Sequence, residues 1–158
     1  MPKIEIKTFI KADLKTCFDL ARNIDFHQAS LSHSNEKAIA GKTSGLIGLN
    51  ETVTWEATHF GIKQKLTSKI TEFESPTYFV DEMVSGAFKS FKHEHIFKNQ
   101  NGETLIVDKF HFQSPFGILG KLANVLFLKW YMKKLLTVRN DYLRLKAEEI
   151  TTLEHRNS

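Results

Sequence analysis

Few residues in this 158-residue chain are of the kinds that punctuate or cross-link a fold: one cysteine, three prolines and eight glycines. A single thiol, Cys17, excludes an intrachain disulfide and suits a reducing, cytoplasmic setting. No run of about 20 apolar residues occurs, so no membrane-spanning helix is expected. The most apolar segment, Leu122 to Leu136, is broken by Lys129, Lys133 and Lys134. The opening residues Met1-Pro2-Lys3-Ile4-Glu5 lack the apolar stretch of a signal peptide. There is no Gly-rich phosphate loop, no CxxC pair, no HExxH, no internal repeat and no low-complexity tract. Neither sign of charge dominates. Lys plus Arg number 22 against 18 Asp plus Glu, and an excess of this size does not by itself indicate nucleic acid.

The composition that remains is that of a soluble globular protein, 41% hydrophobic and 25% charged, with 13 phenylalanines. The length suits one domain, expected over residues 1–150, with a polar, disordered tail over 151–158. The many Phe residues suggest a large aromatic interior.

Hydrophobic periodicity sets out the elements. Ile4, Ile6, Thr8 and Ile10 alternate with exposed-type residues, the pattern of a strand with one buried face. Asp13 is placed to cap a helix in which Leu14, Cys17, Phe18 and Ala21 share a face. Weaker helical character continues through Phe26 and Leu31, and the polar stretch Ser32 to Gly48 reads as a long connection. Strand patterns follow for some 60 residues: Val53, Trp55 and Ala57 on one face, then Ile62, Gln64, Leu66, Ser68 and Ile70 opposed by Lys63, Lys65 and Lys69. Three more strands are expected at Tyr78 to Val84, Phe88 to Phe97 and Thr104 to Phe112. Ser75-Pro76, Ser85-Gly86 and Asn101-Gly102 supply the turns. From about Gly117 to Ile150, apolar residues at spacings of three and four (Leu122, Val125, Leu126, Met132, Leu135, Leu136, Leu143) predict one long helix. A single helix covering a curved antiparallel sheet does not fill its concave face, so a cavity between the two is expected.

The hairpin at Asn101-Gly102 sharpens this. A two-residue type I′ turn sets His95 opposite Asp108. A four-residue loop sets His93 there instead and keeps the same residues on the same face. In both registers Phe91, His93, His95, Phe97, Ile106, Asp108, Phe110 and Phe112 share one face, while Lys92, Glu94, Lys98, Lys109 and His111 share the other. The first set belongs inside. A buried carboxylate needs a partner, and histidine supplies one. Three readings of the cluster stand side by side: an internal His–Asp pair fixing register, a ligand-orienting group in a cavity, and a proton-transfer pair. His93-x-His95 also suggests a metal. With Asp108 as third ligand no fourth announces itself, so no metal or cofactor is assigned. In the preceding strand the pattern leaves two faces open: Phe79, Asp81 and Met83, or Tyr78, Val80, Glu82 and Val84.

Taken together, the element order and the motifs Phe79-Val80-Asp81-Glu82, Gly86-Ala87-Phe88, Phe91-x-His93-x-His95-x-Phe97, Asp108 and Ser114-Pro115-Phe116-Gly117 resemble the START-like helix-grip superfamily. The nearest resemblance is to a bacterial branch of small cyclase/dehydrase-like domains. It runs from Ile4 to about Leu145. Ala87 stands where such sequences often have Pro, and Phe91 where they often have Trp. The resemblance implies an α+β helix-grip fold: a curved antiparallel sheet of six or seven strands around a long C-terminal helix, with two short helices after the first strand. It also favours Asp81 over Glu82 as the inward carboxylate. The superfamily includes carriers, sensors and enzymes, so the fold does not choose among them.

The expected function is binding of a hydrophobic small molecule, such as a lipid, isoprenoid, quinone or polyketide-like ring. The expected apolar contacts from the sheet are Trp55, Leu66, Phe79, Met83, Phe91, Phe97, Ile106, Phe110 and Phe112. From the helix they are Leu122, Val125, Met132 and Leu136. Asp81, His93, His95 and Asp108 would orient the ligand. The alternative is a cyclase or dehydratase using His95 and Asp108. Seven basic and three acidic residues lie between Gly117 and Ile150, so the whole net charge falls on the helix. A transient contact of this helix with an anionic membrane surface is the partner expectation that follows. Nucleic acid is not expected.

Overall fold

The computed structural model describes residues 2–114 and 121–158, and the side chains of these except at 121–125. Strand β1 (Lys3–Ile10) leads into α1 (Leu14–Ala21) and α2 (Ile24–Ser30), and a 3-10 turn at Ser32–Ser34 precedes β2 (Lys37–Gly41). Five strands then follow without interruption: β3 (Thr52–His59), β4 (Ile62–Glu74), β5 (Tyr78–Ser85), β6 (Ser90–Gln100) and β7 (Glu103–Gln113). Helix α3 (Lys121–Arg156) closes the order. At 36 residues it is about 54 Å long.

All seven strands form one antiparallel sheet in the order β1-β7-β6-β5-β4-β3-β2. The first two strands in sequence therefore form its two edges, and α1 and α2 bridge from one edge to the other. Both short helices start at side-chain caps. Asp13 accepts from the Thr16 amide at 3.4 Å and Asn23 from the Phe26 amide at 3.0 Å, which satisfies amides that have no helical partner. Cys17 and Phe18 are fully buried beneath α1. Helix α3 packs its Leu143 and Ala147 into the same core.

The hairpin takes the two-residue turn. Gln100 pairs with Glu103 and His95 with Asp108, and Asn101 and Gly102 both have positive φ, 56° and 85°. That is the type I′ geometry Asn-Gly tolerates. Inside β4, register shifts fall between Thr67 and Ser68 and between Ile70 and Glu72. The second bulge turns Phe73 inward against Phe18, with ring centroids 5.5 Å apart.

Two expectations need correction. The connection Ser32 to Gly48 contains a strand, β2. Its pattern is hidden because it is short and mostly exposed and its register shifts between Ala38 and Ala40, which breaks the period of two. The tail from Thr151, expected to be disordered, is helical through Arg156. Neither Gly nor Pro interrupts the chain there, and the Thr151 and Thr152 hydroxyls donate to the carbonyls of Ala147 and Glu148.

Candidate functional site

Between the sheet, α1–α2 and α3 lies a cavity of about 400 Å³, within the usual range of small-molecule sites. Its wall includes Trp55, Leu66, Phe79, Phe91 and Phe110 from the sheet, and Met132 and Leu136 from α3, all expected there from the sequence. The polar residues Asp81, His93 and His95 also reach it. Asp81 thus faces inward, resolving the two open faces of β5. The turn after β5 is drawn tightly over the cavity: a Cβ on Gly86 would collide with Leu66 Cδ1. A larger residue there would have to push the Leu66 side chain aside; the close approach brings Ala87 and Phe88 to the wall.

Five expected contacts do not lie on this wall. Phe97 and Ile106 pack into the core around Phe18. Phe112 is fully buried in a second apolar cluster with Ile4, and Met83 packs against that cluster from its edge. Asp108 lies behind the histidines, 1% exposed. The shared strand face is longer than the cavity, so residues toward its ends meet other elements instead. The Leu122 and Val125 side chains, and Pro115, Phe116 and Gly117, are outside the described residues.

Asp108 is the hub of a buried polar network. His93 Nε2 is 2.8 Å from its Oδ1 and His95 Nδ1 is 3.2 Å from the same oxygen. Arg139 of α3 donates to Oδ1 at 2.9 Å, and Asn140 Nδ2 donates to Oδ2 at 2.6 Å and to Thr8 Oγ1 at 3.0 Å. Beyond the imidazoles, His95 Nε2 lies 2.7 Å from Asp81 Oδ1, and Phe79 stacks on the His95 ring at 4.1 Å. Burial disfavours charge on every member. For Asp108 the Arg139 guanidinium and the two imidazoles overcome this and hold the carboxyl well below its usual range. Asp81 is lowered too: burial opposes ionisation, but the bond from His95 outweighs it. Burial, helped by the neighbouring His95, pulls His93 down to about 4. His95 is raised, because its bonds to Asp108 and Asp81 exceed the effect of burial. The two carboxylates of the cluster are therefore held ionised by Arg139 and the imidazoles packed against them, and of the two histidines it is His95 whose protonated form they favour.

Sequence reasoning missed part of this site. Arg139, one of the seven basic residues behind the membrane-contact expectation, is only 7% exposed. The signal was present: Arg139 and Asn140 occupy the gap between Leu136 and Leu143 in the apolar stripe. His59 continues the inward alternation of Val53, Trp55 and Ala57; its Nδ1 is 2.6 Å from the Tyr131 hydroxyl, and both residues line the cavity. His27, 2.9 Å from Glu36 and tilted against the Trp55 ring at 4.4 Å, gave no comparable signal, because its partner lies across an irregular connection.

No family model and no curated protein matches the chain. Solved structures do. TTHA0849 from Thermus thermophilus superposes with a TM-score of 0.70 at 16% identity, over 90% of this chain and 97% of that one. SA2116 from Staphylococcus aureus, described as a protein of unknown function, gives 0.72 at 10% identity over 96% of both. The ginseng major latex-like protein 151 from Panax ginseng gives 0.65 at 14% identity, over 92% and 97%. The chain has the helix-grip fold. At these identities the likeness is one of fold alone, so function rests on the cavity and its chemistry. Among the described residues, no helix is long and apolar enough to cross a membrane.

Proposed function

We propose that the protein binds an apolar small molecule, of the lipid, isoprenoid, quinone or polyketide-like class, in the cavity between sheet and α3, as a carrier or sensor. The observation that supports this most is the shape of the interior: a space of about 400 Å³ with aromatic and aliphatic walls and one polar floor. An apolar body removed from water against such walls gains roughly 25 cal/mol per Å², and the floor gives one end a hydrogen-bonding partner. The test is titration with the fluorescent apolar dye anilinonaphthalene sulfonate, comparing the wild type with Ala57→Phe, which puts a ring into the cavity from β3. Saturable binding by the wild type that Ala57→Phe abolishes supports the reading; equal binding by both refutes it.

An approach to anionic membranes is part of the same proposal. Phe60, Phe127 and Lys65 belong to the cavity wall yet are exposed, so they mark its mouth. Trp130 beside Phe127 is also exposed, with Lys134 over its ring at 5.5 Å. Aromatic side chains among lysines are suited to the headgroup region of anionic lipid. Co-sedimentation with phosphatidylserine vesicles, lost at high salt and in Phe60→Ser with Phe127→Ser, is the expected result. The enzymatic alternative would fall to His95 with Asp81, because Asp108 does not reach the cavity.

A further inference from the structure

We propose that Asp81, His93 and His95 form a binding site for one divalent transition-metal ion at the cavity floor. The inference is independent of which apolar ligand, if any, the cavity holds. Three potential donor atoms converge there. Asp81 Oδ1 is 2.7 Å from His95 Nε2 and 3.8 Å from His93 Nδ1, and the three residues' donor atoms lie within 4.8 Å of one another. Metal–ligand bonds of about 2.1 Å at tetrahedral or octahedral angles separate donor atoms by roughly 3.0–3.4 Å. The 2.7 Å contact has to open by a few tenths of an ångström, the 3.8 Å one to close by about half an ångström, and the two histidine nitrogens, within 4.8 Å of each other, to close by up to roughly 1.5 Å. A cation would then take the place between His95 Nε2 and Asp81 that a proton holds.

The second and independent observation lies behind the rings. The opposite nitrogen of each imidazole faces the same oxygen of Asp108, His93 Nε2 at 2.8 Å and His95 Nδ1 at 3.2 Å. One carboxylate thereby fixes both tautomers so that the remaining nitrogens turn toward Asp81. A buried carboxylate holding the far N–H of a ligating histidine is the recurrent outer shell of protein metal sites. Asp108 is in turn held by Arg139, which balances its charge, and by Asn140, which donates to its other oxygen, so Asp81 is left to offset one of the two charges of the cation.

The scaffold is rigid. His93 and His95 are alternate residues of β6, and Asp81 pairs directly with His93 across β5. The three ligands all reach the cavity, so coordination positions remain open toward it. Two imidazoles and one carboxylate favour iron(II), zinc(II) or cobalt(II) over magnesium or calcium, which prefer oxygen donors throughout. The sequence hid this site because Asp108, the obvious partner in the hairpin, is not the third ligand; Asp81 on the neighbouring strand is.

The test uses the untagged full chain, stripped with chelator and titrated with cobalt(II), whose visible absorption reports nitrogen and oxygen ligation. One ion per chain is expected. Asp81→Asn, His93→Gln and His95→Gln should each weaken binding by at least the ~100-fold that losing an outer-shell partner can cost. His155→Gln, in the exposed end of α3, should bind as the wild type does. Absence of stoichiometric binding by the wild type, or binding that Asp81→Asn leaves unchanged, overturns the proposal. Should a variant fail to fold by circular dichroism, proton NMR of the wild type with cobalt(II) decides. Strongly shifted N–H signals from two imidazoles support the site, and their absence overturns it.

Discussion

The same inner face of the sheet is solid at one end and hollow at the other. Around Phe18, three phenylalanines from three strands, Phe73, Phe79 and Phe97, meet its ring edge-on at 5.2–5.5 Å. Phe91 and Phe110, whose rings are 5.2 Å apart, are backed by Ile4 and Phe112 but also line open space. Phe79 touches both regions. Residue type does not account for the difference. Helix α1 inserts Phe18 into the concave face at one end, whereas among the described residues no side chain from α2 or α3 fills the space at the other. Aromatic excess in a sequence therefore does not distinguish a core from a pocket. What distinguishes them is whether a covering element supplies a side chain to fill the space.

The comparison breaks most visibly if the solid end is opened. Phe18→Ala removes the ring that three others pack against, and should cost about 4 kcal/mol in urea unfolding. Phe88→Ala, at the half-buried edge of the hollow end, should cost only about 1 kcal/mol while admitting larger ligands. Similar losses at the two positions would mean that the cavity is closed and packed in solution.

The polar floor makes a separate contribution. Arg139→Met takes from buried Asp108 its guanidinium counter-ion, leaving only the imidazoles and Asn140 to hold it, and should cost about 3 kcal/mol. The double change Arg139→Met with Asp108→Asn should recover part of that loss, because it removes the stranded charge. Additive losses in this cycle would show that the pair is not coupled.

The smallest effect concerns Cys17, packed in the solid end with its thiol pushed up to about 11, chiefly by burial. Its labelling by a thiol reagent at neutral pH should follow the global unfolding rate in the wild type and rise steeply in Phe18→Ala. Fast labelling of the native wild type would mean that the solid end opens locally.

Much of this was legible in the sequence, for identifiable reasons. β6 and β7 show strict alternation and an Asn-Gly turn, so both the register and the inward set could be stated, and His95 does pair with Asp108. β2 was not legible, since five mostly exposed residues with a register shift carry no period. The cavity wall was legible as a face but not as a region. Phe97, Ile106 and Phe112 share the parity of Phe91 and Phe110, and only the position of α1 and α3 assigns them to packed interior. Arg139 was not legible as a member of the site, because a cation on a lysine-rich helix is ordinarily solvated. Its place in the apolar stripe was the contrary evidence, and the structure gives that place its meaning: it is the counter-ion of Asp108.

Native mass spectrometry of the purified full chain beside Ala57→Phe tests the central claim most directly. The wild type is predicted to carry an organic-extractable apolar adduct, or to take one up from an added series of fatty acids and quinones, and the cavity-filled variant to take up none. A wild type that remains bare polypeptide throughout that series, or a variant that binds as the wild type does, would contradict the account.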